Sequence, residues 1–175
     1  RALNHQRIYE LPLAAQNGLD LDRFEPGLEA AAQALKADAA YRSLVEQTGR
    51  RYLSDGPCVL YGDHFPGSWL RTAGGVRVID PEFCFFGDRE FDLGCTVAHM
   101  ALARQTREVA ASLVEAYAEP NRAGLIDKTL LARYAACEVM RRLIGVAQLP
   151  LPSGAGHRCA LLARSRRAML EGAWE

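Results

Sequence analysis

Strand signals in this sequence are confined to one short stretch, and the sustained periodicity around that stretch is helical. The turn cluster Ser54-Asp55-Gly56-Pro57 leads into Cys58-Val59-Leu60-Tyr61, a short apolar run of the kind a buried strand carries. After a loop from Gly62 to Gly67, Ser68-Trp69-Leu70-Arg71 and Val76-Arg77-Val78-Ile79 flank Thr72-Ala73-Gly74-Gly75. This reads as a β-hairpin whose glycine pair permits positive φ in the turn. Upstream, Leu28, Ala31, Ala32 and Leu35, then Leu44 and Val45, follow helical spacing from Gly27 to about Leu53, which fits either one long helix or two short ones broken near Asp38. Downstream, helices are expected over about 92–104, 106–118, 125–147 and 154–173, separated at Glu119-Pro120-Asn121 and at Leu149-Pro150-Leu151-Pro152-Ser153-Gly154. The first 25 residues mix Ile8, Leu11 and Leu13 with Asn17, Gly18, Asp20 and Asp22 without a sustained period, and read as a linker or docking segment. The chain therefore reads as an α+β fold, predominantly α-helical, with one small β-hairpin region.

Composition narrows the function classes. At 175 residues with 49% apolar and 24% charged residues, the chain is an ordinary globular domain. At this length roughly 70% of the unfolded surface is buried on folding, so neither metal nor disulfide is needed to hold the fold. The 21 Lys plus Arg balance the 21 Asp plus Glu, so net charge argues for neither a nucleic acid nor an acidic membrane surface as partner. The run Arg164-Ser165-Arg166-Arg167 reads as a solvated helix face. No apolar run approaches the roughly 20 residues of a membrane span, and the expected location is cytoplasmic. Five cysteines without a CxxC pair read as free thiols in a reducing compartment. The absence of an initiator Met suggests a fragment or processed piece.

Acidic and turn residues crowd into the β part. Asp63 directly follows the first strand and Asp80 ends the hairpin, so both are expected to face one crevice, the usual display site for catalytic groups. Asp80 and Glu82 are two apart, which in extended chain puts both carboxylates on one side, a pattern suited to Mg²⁺ with its preference for oxygen ligands, water and phosphate. A carboxylate loop ahead of a metal-binding carboxylate is the logic of phosphoryl transfer by kinases. Asp63 and Ser68 stand five positions apart, the spacing of Asp and Asn in the protein-kinase catalytic loop.

Three blocks then carry a resemblance: Tyr61-Gly62-Asp63-His64-Phe65-Pro66-Gly67-Ser68; Ile79-Asp80-Pro81-Glu82-Phe83-Cys84-Phe85-Phe86-Gly87-Asp88-Arg89-Glu90-Phe91-Asp92-Leu93-Gly94; and Glu138-Val139-Met140-Arg141-Arg142-Leu143-Ile144-Gly145. Together they resemble the small-molecule kinases of the aminoglycoside phosphotransferase and choline kinase superfamily, closest to the methylthioribose kinase group. The resemblance implies the C-terminal lobe of a protein-kinase-like fold. Residues 1–25 would follow an N-terminal lobe absent from this chain, and residues 26–175 would form the lobe, with a catalytic loop at 61–68, a metal-binding segment at 78–94 and a helical subdomain at 92–173. It implies Asp63 as catalytic base, Asp80 and Glu82 as Mg²⁺ ligands with Ser68 at the auxiliary metal position, and Asp92 bracing the catalytic loop. Arg141 and Arg142 would bind substrate and the transferring phosphoryl group. Adjacent helical residues diverge by about 100°, so only one of the pair is expected to point fully into the site. Two positions depart from the family pattern: Tyr61 and Phe65 each stand where histidine is usual.

The implied activity is transfer of the γ-phosphoryl group of ATP, with Mg²⁺, to a hydroxyl of a small sugar-like alcohol resembling methylthioribose. An antibiotic or choline kinase and a catalytically silent lobe that binds a metabolite or partner are the alternatives. The family also implies a homodimer. His99, on an apolar helix, reads as a core histidine with its hydrogen bonds satisfied.

Overall fold

The computed structural model describes residues 1–121, 126–151 and 156–175. Its elements are α1 (Ala2–His5), α2 (Leu28–Ala37), α3 (Ala39–Leu53), β1 (Cys58–Leu60), β2 (Trp69–Thr72), β3 (Gly75–Val78), β4 (Phe85–Gly87), α4 (Arg89–Leu102), α5 (Arg107–Asn121), α6 (Lys128–Ile144) and α7 (His157–Glu171). The chain is a predominantly helical α+β fold. No helix among the described residues is long and apolar enough to cross a membrane.

Of the two readings of residues 27–53, the structure has two helices, α2 and α3, joined at Asp38. Asp38 adopts extended backbone there, and its carboxylate accepts the Tyr41 amide at 3.0 Å, capping α3. Asp127 caps α6 in the same way through the Leu130 amide at 2.9 Å. Helix α6 is the centre of the molecule. Tyr134, Ala135, Ala136, Cys137, Val139, Met140, Leu143 and Ile144 are all buried, so nearly its whole circumference is covered, as expected of a helix inside a domain. Helices α4 and α7 pack on it.

Residues 1–25, expected as a linker or docking segment, have helical turns of their own. The chain passes from α1 through a π-helical turn (Gln6–Glu10) and a 3₁₀ turn (Leu11–Leu13), and buries Ile8, Tyr9, Leu13 and Leu21 in the common core. Three helical windings in succession share no single period, which is why periodicity is mute over this stretch. Helix α5 runs to Asn121, so that it takes in the separator expected at Glu119-Pro120-Asn121. The expected starts at 125 and 154, and Pro152-Ser153-Gly154 of the second separator, lie outside the described residues.

The strands form two separate antiparallel pairs. In the hairpin, Trp69 faces Val78 and Thr72 faces Gly75, so the turn is Ala73-Gly74 and Gly75 already belongs to a strand. The other pair joins β1 to β4, with Val59 opposite Phe86 and Leu60 opposite Phe85. Strand β4 has no counterpart in the sequence reading, because three residues bounded by turns leave no alternation to detect. This pairing brings the segment after Asp63 back beside the strand before it, and leads directly into α4.

Candidate active site

Asp63 lies just beyond β1, on a loop fixed at its root from α4. The Asp92 carboxylate accepts the Tyr61 amide through Oδ2 at 2.6 Å and the Gly62 amide through Oδ1 at 3.1 Å. Asp92 stands in the first turn of α4, yet it serves the loop's amides. Burial pushes the Asp92 carboxyl above its ordinary range, and the two amide bonds pull it partly back. Gly62 makes this loop possible: its φ is +88°, and a Cβ there would stand 2.2 Å from the Phe83 carbonyl oxygen. His64 closes the same brace, with Nδ1 2.7 Å from Thr96 Oγ1 on α4.

The opposite wall is α6. Arg141 Nη2 donates to Asp63 Oδ1 at 2.7 Å, and Arg142 Nη2 donates to the same oxygen at 3.3 Å. Both arginines are 5% exposed, so neither is a solvated surface charge. The expectation that only one of them faces the site is therefore corrected. Long side chains swing round the helix, and both are drawn to a third group, Glu138, whose Oε1 accepts from Arg142 Nε at 2.7 Å. Glu138 Oε2 lies 3.1 Å from Arg141 Nε, a charge contact without the alignment of a hydrogen bond. His99 Nε2, 3.0 Å from Glu138 Oε1, must carry a proton, because a carboxylate only accepts. Burial alone would raise the Glu138 carboxyl, but the charges of Arg141 and Arg142 and the His99 bond outweigh it and hold it well below the usual range. Burial works against the Arg141 charge, but the charges of Glu138 and Asp63 outweigh it and hold the guanidinium above its ordinary range.

Both positions that depart from the family pattern are used. Phe65 lies under the Arg142 guanidinium, 5.0 Å from ring centroid to Cζ, and beside the His99 ring at 5.7 Å. The Tyr61 hydroxyl contacts the Ile79 carbonyl oxygen and lies 2.8 Å from that of Asp80.

Asp80 and Glu82 differ from their expected geometry. Asp80 adopts a left-handed conformation, φ +61° and ψ +59°, and Pro81–Phe83 form a 3₁₀ turn, so Asp80 and Glu82 are not on one side of an extended chain. Pro81 suits the first position of this turn, where its fixed φ is already helical and its missing N–H is not needed. Both residues are exposed. Ser68 is buried, its amide donating to the Phe65 carbonyl at 2.9 Å and its carbonyl accepting the Ile79 amide at 3.0 Å. Among the described residues, no group of three or more His, Cys, Asp or Glu side chains is gathered into a metal cage. Oxygen-only donors with open positions do fit Mg²⁺, which is commonly held by one or two carboxylates together with phosphate and water.

Sequence reasoning missed Glu138 as a participant. The available signal was its spacing, three and four residues ahead of the two arginines, which places it on their shared helix face.

A buried arginine pair on a loop carboxylate, braced from the next helix, is a site built to handle an anionic group. The family model described as Phosphotransferase enzyme family (APH) matches residues 2–126, and the chain belongs to that family. Among curated relatives, the chain is 30% identical to the methylthioribose kinase of Geobacillus kaustophilus (strain HTA426), over 87% of this chain and 46% of the relative. It is 28% identical to the methylthioribose kinase of Exiguobacterium sibiricum, over 88% and 47% respectively. For that of Geobacillus thermodenitrificans (strain NG80-2) the figures are 30% identity, 87% and 46%. The chain thus spans about half the length of the curated relatives it matches.

Proposed function

We propose that this protein transfers the γ-phosphoryl group of ATP to a hydroxyl of a small sugar-like alcohol of the methylthioribose type. One observation supports this most directly: a half-buried carboxylate, Asp63, is met by two buried arginines that follow it by 78 and 79 residues. Asp63 is the base. Among the described residues its charge contacts run through Oδ1, so Oδ2 is assigned to the acceptor hydroxyl, whose proton it takes as the oxygen attacks. Arg141 and Arg142 stand beside that point with forked donors suited to phosphate oxygens. Asp80 and Glu82 would hold Mg²⁺, with Ser68 joining through water, since Ser68 is buried while the two acids are exposed. When bound, the ion neutralises charge on the nucleotide phosphates. Catalysis then rests on positioning and on fixed charge. Methylthioribose as acceptor is suggested by what the similar proteins are named for.

The test is ADP formation by the complete protein supplied with Mg²⁺, ATP and candidate alcohols. Asp63→Asn is expected to lower turnover by about 10²–10⁴-fold while Mg·ATP still binds. Asp80→Ala is expected to weaken Mg·ATP binding itself. An unaffected rate in Asp63→Asn would overturn the assignment of the base. Absence of alcohol-dependent ADP formation in the unsubstituted protein would favour a silent binding lobe.

A further inference from the structure

We propose that Glu138 is a positioning residue of this site, a buried carboxylate that draws Arg141 and Arg142 together so that both present Nη2 to Asp63. Its catalytic consequence rests on the phosphotransfer reading above; the positioning itself rests on geometry.

Adjacent residues on a helix point about 100° apart, so two neighbouring arginines do not converge unaided. Here they converge on one oxygen, Asp63 Oδ1. Glu138 stands one turn earlier at the two spacings, three and four, that share a helix face. Each of its oxygens meets the Nε of a different arginine, Oε1 that of Arg142 at 2.7 Å and Oε2 that of Arg141 at 3.1 Å. With the Nε edges turned toward Glu138, the Nη2 groups of both forks reach Asp63.

Charge leads to the same residue. Two guanidinium groups at 5% exposure repel one another and need anions nearby. Without Glu138, Asp63 would be their one carboxylate partner in this cluster, although the reaction needs Asp63 for the substrate. Glu138 provides the second negative charge at 2% exposure, which balances the cluster without committing the base. Its own orientation is fixed by His99 at 3.0 Å, whose ring packs beside Phe65, the same ring that lies under Arg142. The arrangement is thus locked by packing and by hydrogen bonds, as a preorganised site requires.

The test uses Glu138→Gln in the complete protein, a change that keeps volume and removes charge. Two measurements are made: steady-state kinetics, and solvent exchange of the arginine Nε–H protons by ¹⁵N NMR. Glu138→Gln is expected to lower kcat about 10²-fold with KM for Mg·ATP changed by less than about threefold, since misplaced groups cost turnover more than nucleotide binding. Arg142, whose Nε–H donates to Glu138 Oε1, is expected to lose protection of that proton. Combining Glu138→Gln with Arg141→Gln or Arg142→Gln is expected to lose no more activity than the worse single change, because residues acting as one unit are not additive. Turnover within about twofold of the unsubstituted protein, multiplicative losses in the double variants, or unchanged Nε–H protection would each overturn the proposal.

Should Glu138→Gln fail to fold, Glu138→Gln/Arg141→Gln removes one charge of each sign. Arg142 Nε–H, which donates to Glu138 Oε1, must then be less protected than in Arg141→Gln alone, and equal protection overturns the proposal. If the unsubstituted protein forms no ADP with any alcohol offered, the phosphotransfer reading fails, and the Nε–H measurement still decides the positioning.

Discussion

Asp92 and Glu138 are both carboxylates withdrawn from water, and their surroundings push them in opposite directions. Glu138 is held below its ordinary value of 4.5, so the folded state releases its proton more readily than the unfolded chain does. Its contribution to stability is full above pH 4.5 and is lost as the pH falls below that value. Asp92 is raised above 3.8 by burial, so from 3.8 up to its folded value stability falls as the pH rises, and above that window its charge is a constant cost. Urea midpoints measured from pH 3 to 7 should therefore show a shallower acid loss in Glu138→Gln than in the unsubstituted protein. In Asp92→Asn the removed desolvation cost opposes the weakened amide bonds, so stability should change by less than about 1 kcal/mol. Activity should nonetheless fall at least about tenfold, because the loop bearing Asp63 loses its anchor. Equal losses of activity and stability would contradict that separation. At this scale the sequence shows which residue types are present and at what spacing. It does not show convergence: that Arg141 and Arg142 meet on one oxygen depends on side-chain paths around α6 and on an anion one turn away.

The helices were legible where one period ran long enough. Helices α2, α3 and α4 lie close to their expected spans, and the junction near Asp38 was one of two readings, its role as a cap showing only in the structure. Two features were hidden for physical reasons. The changing helical winding of residues 1–13 erases periodicity, and β4 is too short for alternation. The contact between α4 and α6 was hidden as well, and it matters most to the site, since α4 carries Asp92 and α6 carries Glu138 and both arginines. It depends on Gly94. A Cβ there would stand 2.9 Å from the Leu131 carbonyl oxygen, 2.9 Å from Tyr134 Cβ and 3.0 Å from the Ala135 nitrogen. Backbone atoms inside a helix do not step aside, so the helices must separate. Gly94→Ala should therefore lower stability by about 1–3 kcal/mol through overpacking, which exceeds the roughly 1 kcal/mol that alanine gains in helix propensity. A lower urea midpoint with an unchanged denaturant slope is the expected reading. A stabilised Gly94→Ala would mean that α4 and α6 tolerate more separation than this packing allows.

Across the whole molecule, order and apolar burial are unevenly distributed. The core is built mainly from α2, α3, α4, α6 and α7 together with Ile8, Tyr9, Leu13 and Leu21 of the N-terminal segment, whereas no residue of β2 or β3 is fully buried. Val59 and Phe86 face one another across β1 and β4 with 67% and 59% of their surface exposed, and Val76 and Val78 on β3 are exposed at 64% and 49%. Local stability follows buried apolar contact, so amide exchange should be slowest in α6 and fastest, among the strands, in the 69–78 hairpin. The hairpin nevertheless ends one residue before Ile79 and two before Asp80, and the Ile79 amide is tied to the Ser68 carbonyl at 3.0 Å. A ligand that engages Asp80 would therefore be felt along β2 and β3. Under the phosphotransfer reading, adding Mg·ATP to the complete protein should slow exchange in the hairpin and in residues 79–83, while α6, already protected by the core, changes little. Protection that rises in α6 and not in the hairpin would place the nucleotide elsewhere and remove Asp80 from the metal site.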